Sequence, residues 1–285
     1  MNHTHSLQAR EPAVAGTFYP DDARQLHDAI VDYLHSASVA EAAEAVSLPV
    51  HSATRSTSKV SNPKAIIAPH AGYIYSGPVA ASIYTRLLPV REQVKRVVIL
   101  GPSHRVAFSG LATSSADVFT TPLGDISLDR AALDSLLDLP QVHCRDEAHR
   151  LEHSVEVHLP FLQEIFQDFQ LLPLVVGDAS PPEVAEVLAR LWGGPETLIV
   201  ISSDLSHFHD YNTAQRMDPH TSDAIENLQA EAVHSEDACG CVPVSGLLYL
   251  ARERQLQVET LDLRNSGDTA GPRDRVVGYG AYAFH

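Results

Sequence analysis

An α/β fold, a single domain with a central, mostly parallel or mixed sheet flanked by helices, is the architecture this chain predicts. Three observations carry that reading. Lys64-Ala65-Ile66-Ile67-Ala68, Arg96-Val97-Val98-Ile99-Leu100 and Thr197-Leu198-Ile199-Val200-Ile201 are apolar after their first residue, the pattern of strands buried on both faces. Each leads directly into a polar fragment: Ala68-Pro69-His70-Ala71-Gly72-Tyr73, Gly101-Pro102-Ser103-His104, and Ser202-Ser203-Asp204-Leu205-Ser206-His207. Helix-like patterns separate the runs. In open α/β sheets, ligands collect beyond the carboxyl ends of the strands, so the three fragments read as parts of one site, and metal-assisted chemistry is the expectation.

The elements follow in order. After Gly16-Thr17-Phe18-Tyr19-Pro20, Asp21 caps a helix running to about Leu34, with Leu26, Ile30 and Leu34 on one face. Residues 36–62, rich in Ser, Ala and Thr with scattered charge, read as an exposed, partly mobile connection within the one domain spanning 1–285, with room for a short helix at 40–46. Helices are predicted at 78–88, 131–137, 181–192 and 244–253, several begun by proline, which suits a first helical turn. Further strands are predicted at 170–176, 257–264 and 275–284. No repeat period is present.

Composition narrows the function. With 285 residues, 44% of them hydrophobic, the chain has ample material for a buried core. Its 20 basic and 36 acidic residues leave a formal charge of −16, which repels phosphate backbones and anionic lipid, so neither nucleic acid nor a membrane is an expected partner. No run approaches the roughly 20 apolar residues of a membrane span, and the start Met1-Asn2-His3-Thr4-His5-Ser6 lacks a signal-peptide core. A cytoplasmic location is expected. Cys144, Cys239 and Cys241 are an odd set in a long chain and read as free thiols.

Histidine, with 16 copies, is the compositional outlier. His3, His5, His27, His35, His51 and His285 lie near the termini, on an amphipathic helix or in a polar linker and read as surface residues. His70 and His104 differ. Each follows a strand-like run and a proline, which restricts the strand exit and the directions the ring can take, and imidazole is the commonest metal-binding side chain. Cys239, in Ala238-Cys239-Gly240-Cys241, is the third candidate ligand, since glycine beside it permits close backbone approach and thiolate binds iron, copper or zinc. Asp204 and His207 are three residues apart, and on a helical turn after the strand they would share a face and form an acid/base pair. Glu152, His153, Glu156 and His158 form the densest ionisable cluster. A helix through His149 would align His149, Glu152, His153 and Glu156, whereas a new helix opened by Pro160 and ending near Phe169 would leave 149–158 irregular. The cluster is assigned to supporting the ligands or facing substrate. Dinucleotide, phosphate-loop and serine-hydrolase motifs are absent.

Several long motifs occur in register: Val14-Ala15-Gly16-Thr17-Phe18-Tyr19-Pro20, Ala68-Pro69-His70-Ala71-Gly72-Tyr73-Ile74-Tyr75-Ser76-Gly77, Gly101-Pro102-Ser103-His104, Glu152-His153-Ser154-Val155-Glu156-Val157-His158-Leu159-Pro160-Phe161-Leu162, and Ser202 to His207. From Val14 to the C-terminus the chain closely resembles the Memo family, whose prokaryotic members include AmmeMemoRadiSam system protein B. The resemblance implies a fold similar to the class III extradiol, non-haem iron dioxygenases. It carries a metal site onto His70, His104 and Cys239, with Asp204 and His207 lining it. The implied cofactor is an iron or copper ion, with zinc the redox-silent option, and the implied partners are a radical SAM enzyme and an Amme-type protein. Function is then expected to be that of a metal-dependent, dioxygenase-like oxidoreductase. His207 moves a proton and is oriented by Asp204, and Glu152, His153, His158 and Tyr73 shape the pocket or support the ligands. Two other readings stand beside it: a non-catalytic module that recognises a small molecule, peptide or anion, and a copper-handling protein using Cys239 with Cys241, a pair that could also form a transient disulfide.

Overall fold

The computed structural model describes residues 7–47 and 62–285; the remainder of the 36–62 connection lies outside the described residues, as do His3, His5 and His51. Strand β1 (Ala9–Arg10) leads through a turn at Gly16, whose φ of 78° suits glycine, into α1 (Ala23–Ser47). Asp22, rather than Asp21, caps α1, its Oδ1 accepting the backbone N–H groups of Arg24 at 3.1 Å and Gln25 at 2.9 Å. Leu26 and Ile30 face the core, as their spacing requires. The helix continues well past Leu34, because the Ala- and Glu-rich stretch after Val39 favours helix even without an apolar face. Ser36 to Ala43 are exposed apart from half-buried Ala37.

Next come β2 (Ala65–Ala68) and α2 (Tyr73–Tyr84). Starting at Tyr73 rather than at 78, α2 places Pro78 inside the helix, where the missing N–H falls opposite the turn of exposed Ile74. Strands β3 (Arg96–Pro102), β4 (Leu111–Thr113), β5 (Val118–Thr121) and β6 (Gly124–Ser127) follow, then α3 (Arg130–Asp134), β7 (Val142–Cys144), α4 (Asp146–Arg150) and α5 (Leu159–Ile165). Beyond them lie β8 (Gln170–Val176), α6 (Pro181–Leu191), β9 (Thr197–Ser202), β10 (His207–His209), α7 (Tyr211–Glu226), α8 (Cys241–Arg254), β11 (Val258–Asn265) and β12 (Val276–Phe284).

Nine strands form one mixed sheet in the order β10-β12-β2-β9-β3-β8-β4-β7, with β11 along the other side of β12. Its centre, β2-β9-β3-β8, is all parallel, which is why those strands read as unbroken apolar runs. Antiparallel pairs join β12 to β2 and β8 to β4. A second sheet, β1-β5-β6, is separate in pairing and meets β8 at its β6 end. Helix α8 packs on β3 and β9 and against α6, while α2 lies against β12 and β11 under α1. The predicted fold is thus present, and register sets its functional edge: Ala68 pairs with Ser202 and Leu100 with Ile201, so β2, β9 and β3 end side by side.

The N-terminal strand is tied to this edge by a buried ion pair. Arg10 donates to the Glu156 carboxylate, to the Glu152 carbonyl at 2.5 Å and to the His149 carbonyl at 2.9 and 3.0 Å. Glu156 also accepts the N–H groups of Ala13 at 2.8 Å and Val14 at 3.0 Å and the Tyr19 hydroxyl at 2.6 Å. Both partners are buried, so removing one strands the other's charge. Arg10→Met should therefore lower unfolding free energy by about 3–5 kcal/mol in urea titrations; a loss below about 1 kcal/mol would mean that the pair does not hold this junction.

Candidate metal centre at the strand ends

His70 leaves β2 after Pro69 and is 2% exposed. Its Nδ1 lies 2.6 Å from Ser202 Oγ, and that hydroxyl donates to the Ser154 carbonyl at 2.6 Å. Since the hydroxyl proton is committed, Ser202 Oγ accepts from His70 Nδ1–H, which leaves the Nε2 lone pair free. The His70 N–H donates to Asp204 Oδ1 at 2.8 Å. His104, beyond β3, is held the same way: Glu152 accepts its Nδ1–H at 2.8 Å and its backbone N–H at 2.6 Å. Glu152 Oε1 accepts in addition the N–H groups of His153 at 2.9 Å and Ser154 at 3.0 Å. Burial opposes ionisation of Glu152, but His104 and these N–H donors outweigh it and hold the carboxyl at about 2. An oriented imidazole backed by a carboxylate or hydroxyl is the usual support of a metal ligand.

His153 completes a cluster that the sequence assigned only to the surroundings. Its ring stacks on His104, with centroids 4.7 Å apart, and meets His70 edge-on at 5.5 Å and Phe18 at 4.8 Å. His70, His104 and His153 each offer a ring nitrogen within 4.8 Å of the other two. The buried His153 Nδ1 lies 3.3 Å from Glu152 Oε1, yet the alignment makes no hydrogen bond, and the atom is left without a partner.

Cys239, the expected third ligand, lies beside His70 but outside the three-histidine cluster, its Sγ 3.4 Å from His70 Nε2 and 3.3 Å from the Asp204 backbone nitrogen, whose N–H points to it. Gly240 lets the chain come this close: a Cβ there would sit 2.5 Å from the Ser202 carbonyl oxygen. Burial, then the Asp204 charge, push the Cys239 thiol far above its ordinary range, so a metal-free site holds a neutral thiol. The residues present fit a transition metal: imidazole nitrogens with free lone pairs, one thiol, and an orphaned ring nitrogen.

His207 and Asp204 come to this edge, though not on a helical turn. Ser203 to Ser206 is irregular and His207 opens β10, because the segment pairs with β12. His207 Nδ1 donates to the Leu205 carbonyl at 2.7 Å, so that carbonyl, not Asp204, orients the ring and leaves Nε2 able to accept a proton. Asp204 is bonded to His70, and burial raises its carboxyl above the ordinary range against the pull of His207 and the His70 N–H.

Two predicted pocket residues face the core. Tyr73 donates its hydroxyl to the Val157 carbonyl at 2.8 Å and packs against Tyr19 and Phe161. His158 sits 2.8 Å from the Tyr84 hydroxyl through Nδ1, 1% exposed, close enough to help depress His70. The 149–158 region is not one helix, so the stripe does not form: α4 ends at Arg150, Glu152 and His153 lie in a loop, residues 156–158 make a single 3-10 turn, and α5 ends at Ile165, short of the expected Phe169. Ser154 and Ser202, the relay behind His70, were not singled out; their signal was position, inside the two motifs. Cys241 opens α8 as a free thiol, and Cys144 and Cys239 are also free. His27 and His35 are exposed on α1, whereas His285 is half-buried at the end of β12.

A mixed α/β sheet with a histidine-rich centre that could hold a metal at its parallel strand ends thus defines the class. The sequence profile described as Memo-like protein matches residues 10–283. The chain belongs to the Memo family. It is 35% identical to a MEMO1 family protein of Aquifex aeolicus, the match covering 96% of this chain and 98% of that one. Identity is 34% to one from Metallosphaera sedula, over 96% and 99%, and 35% to one from Ignicoccus hospitalis, over 98% and 99%. An uncharacterized protein of Escherichia coli K12 superposes with a TM-score of 0.48 at 14% identity, over 77% of this chain and 98% of that one. Among the described residues, no helix is long and apolar enough to cross a membrane.

The centre has a cost in acid. Burial lowers His149 and His153 to about 4 and His158 to about 3, and pushes His70 well below the usual range of 6.5. Below pH 6.5 the unfolded chain takes up these protons and the folded chain does not, so metal-free protein loses stability as pH falls towards 4. The slope is roughly 1 kcal/mol per pH unit for each such histidine. Urea midpoints between pH 7 and 5 should fall steeply, and His149→Gln should reduce the proton uptake on unfolding by one; a pH-independent midpoint contradicts the buried neutral state.

Proposed function

We propose that this protein is a metal-dependent redox enzyme, related to the dioxygenases, holding iron or copper through His70, His104 and Cys239, with His153 poised as a further donor. The observation that carries this reading is that both rings are held in the same way, through Nδ1. The Nδ1 of His70 and of His104 are each spent on a fixed acceptor, so that Nε2 is the nitrogen each ring has left to offer at the sheet edge, and the Cys239 thiol lies beside that of His70. Bound there, iron or copper would supply one-electron redox chemistry, which zinc would not.

The chain's own groups do the rest. His207 accepts or donates a proton at Nε2, its other nitrogen being fixed by Leu205. Asp204 holds the His70 backbone through its carboxylate and points its own backbone N–H at Cys239 Sγ. Glu152 keeps His104 in the tautomer that leaves Nε2 bare and braces the loop carrying His153. Proton transfer and ligand orientation are thereby separated onto different residues. The small-molecule substrate is processed in a cytoplasmic system with a radical SAM enzyme and an Amme-type protein, and the radical chemistry resides in that partner, since this chain lacks the cysteine spacing of an iron–sulfur site.

Metal content measured by mass spectrometry on tag-free protein tests the proposal. Stoichiometric iron or copper is expected in the wild type and should be lost in His70→Ala and Cys239→Ala. Ser202→Ala, which removes only the acceptor behind His70, should weaken metal binding by about 10–100-fold. Retention of the metal in His70→Ala would overturn the assignment.

A further inference from the structure

A cavity of about 520 Å3 opens beside the candidate centre, bounded by the strand ends Pro102–Ser103 and Val176–Asp178, the 106–109 loop, Cys239 and the first turn of α8. Its volume falls in the ~300–1,000 Å3 range of small-molecule sites. It meets the centre through Cys239, which lines it directly, while the histidines lie outside its wall. The far wall is fixed: Gly177 and Asp178 donate backbone N–H groups to the Gly110 and Phe108 carbonyls at 2.9 and 2.8 Å, and a Cβ on Gly177 would meet the Phe108 carbonyl oxygen at 2.1 Å. This is a built recess, held open by backbone pairing.

Its chemistry is one-sided. Val106, Phe108, Val176, Val242 and Pro243 supply an apolar surface. Ser103 Oγ donates to the Val106 carbonyl at 2.6 Å, so its proton is already committed. Asp178 is the one charged lining residue, and no lysine or arginine lines the cavity. Arg145, which lies against the Phe108 ring, is turned to Glu147 and is not part of the wall. In the metal-free protein no lining side chain compensates an anion, and desolvating one against this wall is unfavourable.

We infer that this cavity is the substrate chamber of the centre and accepts an uncharged, mainly apolar small molecule, which approaches from the Cys239 side. The inference rests on the metal-site reading for its catalytic meaning. The chamber's selectivity can nevertheless be read on metal-free protein, through Cys239 itself.

The experiment is thiol labelling of chelator-stripped, full-length protein with benzyl methanethiosulfonate and with its charged 2-sulfonatoethyl counterpart, followed by peptide mass mapping. In each case the thiol gives up its proton to solvent, the cysteine sulfur forms a disulfide with the reagent's sulfenyl sulfur, the bond to the sulfonyl group breaks, and methanesulfinate leaves with the electron pair. Exposed Cys144 serves as the internal reference. Relative to Cys144, Cys239 should prefer the benzyl reagent by at least about tenfold, as expected for passage of a neutral rather than a charged group through an apolar wall. Indole should protect Cys239, and indole-3-carboxylate should not. Val242→Trp, which fills the cavity, should remove both effects; Ala107→Trp, at the exposed loop, does the same if the first variant fails to fold. Equal reagent preference at Cys239 and Cys144, or equal protection by both indoles, overturns the chamber. Loss of metal binding with these effects intact would overturn the metal reading alone.

Discussion

The buried Arg10 guanidinium is the contact on which the candidate site depends. It binds the Glu156 carboxylate and the carbonyls of His149 and Glu152, while Glu156 gathers Ala13, Val14 and Tyr19 from the N-terminal segment. Between these anchors runs the loop whose Glu152 fixes His104 and whose Ser154 carbonyl fixes Ser202 and, through it, His70. Such a pair need not add net stability, since desolvation opposes the Coulomb attraction. What it supplies is a unique arrangement. Two histidines from different strands are oriented by one irregular loop, which has few alternatives once its backbone groups are engaged.

Close packing makes that arrangement possible. A side chain on Gly101 would place its Cβ 2.5 Å from Ser154 Oγ, so glycine there lets the loop rest on the end of β3. Gly240 does the same for the Cys239 turn against β9. Close approach at the ends of β3 and β9 therefore lets the Arg10, Glu152 and Glu156 side chains fix the loop against the sheet. The buried histidines and the neutral thiol share one consequence of burial. Each favours its uncharged form, which for imidazole is the metal-binding form and for the thiol is not. Binding a metal at Cys239 must release a proton there.

The sheet was legible because its central strands are buried on both faces and carry little polar information until they end. Strand β8 falls at the predicted 170–176, and β3 and β9 extend the predicted runs by one or two residues. Other elements were hidden for identifiable reasons. Helix α7 was missed because the face it buries includes Asp218, Thr221 and Ser222 beside Ala214 and Ile225, which erases the apolar period. Beyond Leu34, α1 continues on helix propensity with few apolar contacts, helped by Ala37 on the core and the Glu41–Arg86 ion pair. The helical turn expected at Asp204 lost to pairing with β12, a long-range contact that local spacing does not encode. At the site, His70 and His104 were visible from their placement after strands. His153 could not be ranked as a donor, nor His158 and Tyr73 assigned to the core, because a dense polar motif does not say which side chain turns inward.

The account's central claim is that two histidines and the Cys239 thiolate converge on one metal. X-ray absorption spectroscopy of the metal-loaded protein at the metal edge tests it most directly. One sulfur scatterer is expected, at about 2.3 Å if the metal is zinc, together with at least two imidazole ligands, and the sulfur contribution should vanish in Cys239→Ser. A first shell of nitrogen alone, unchanged in that variant, would contradict it and assign the metal to His70, His104 and His153.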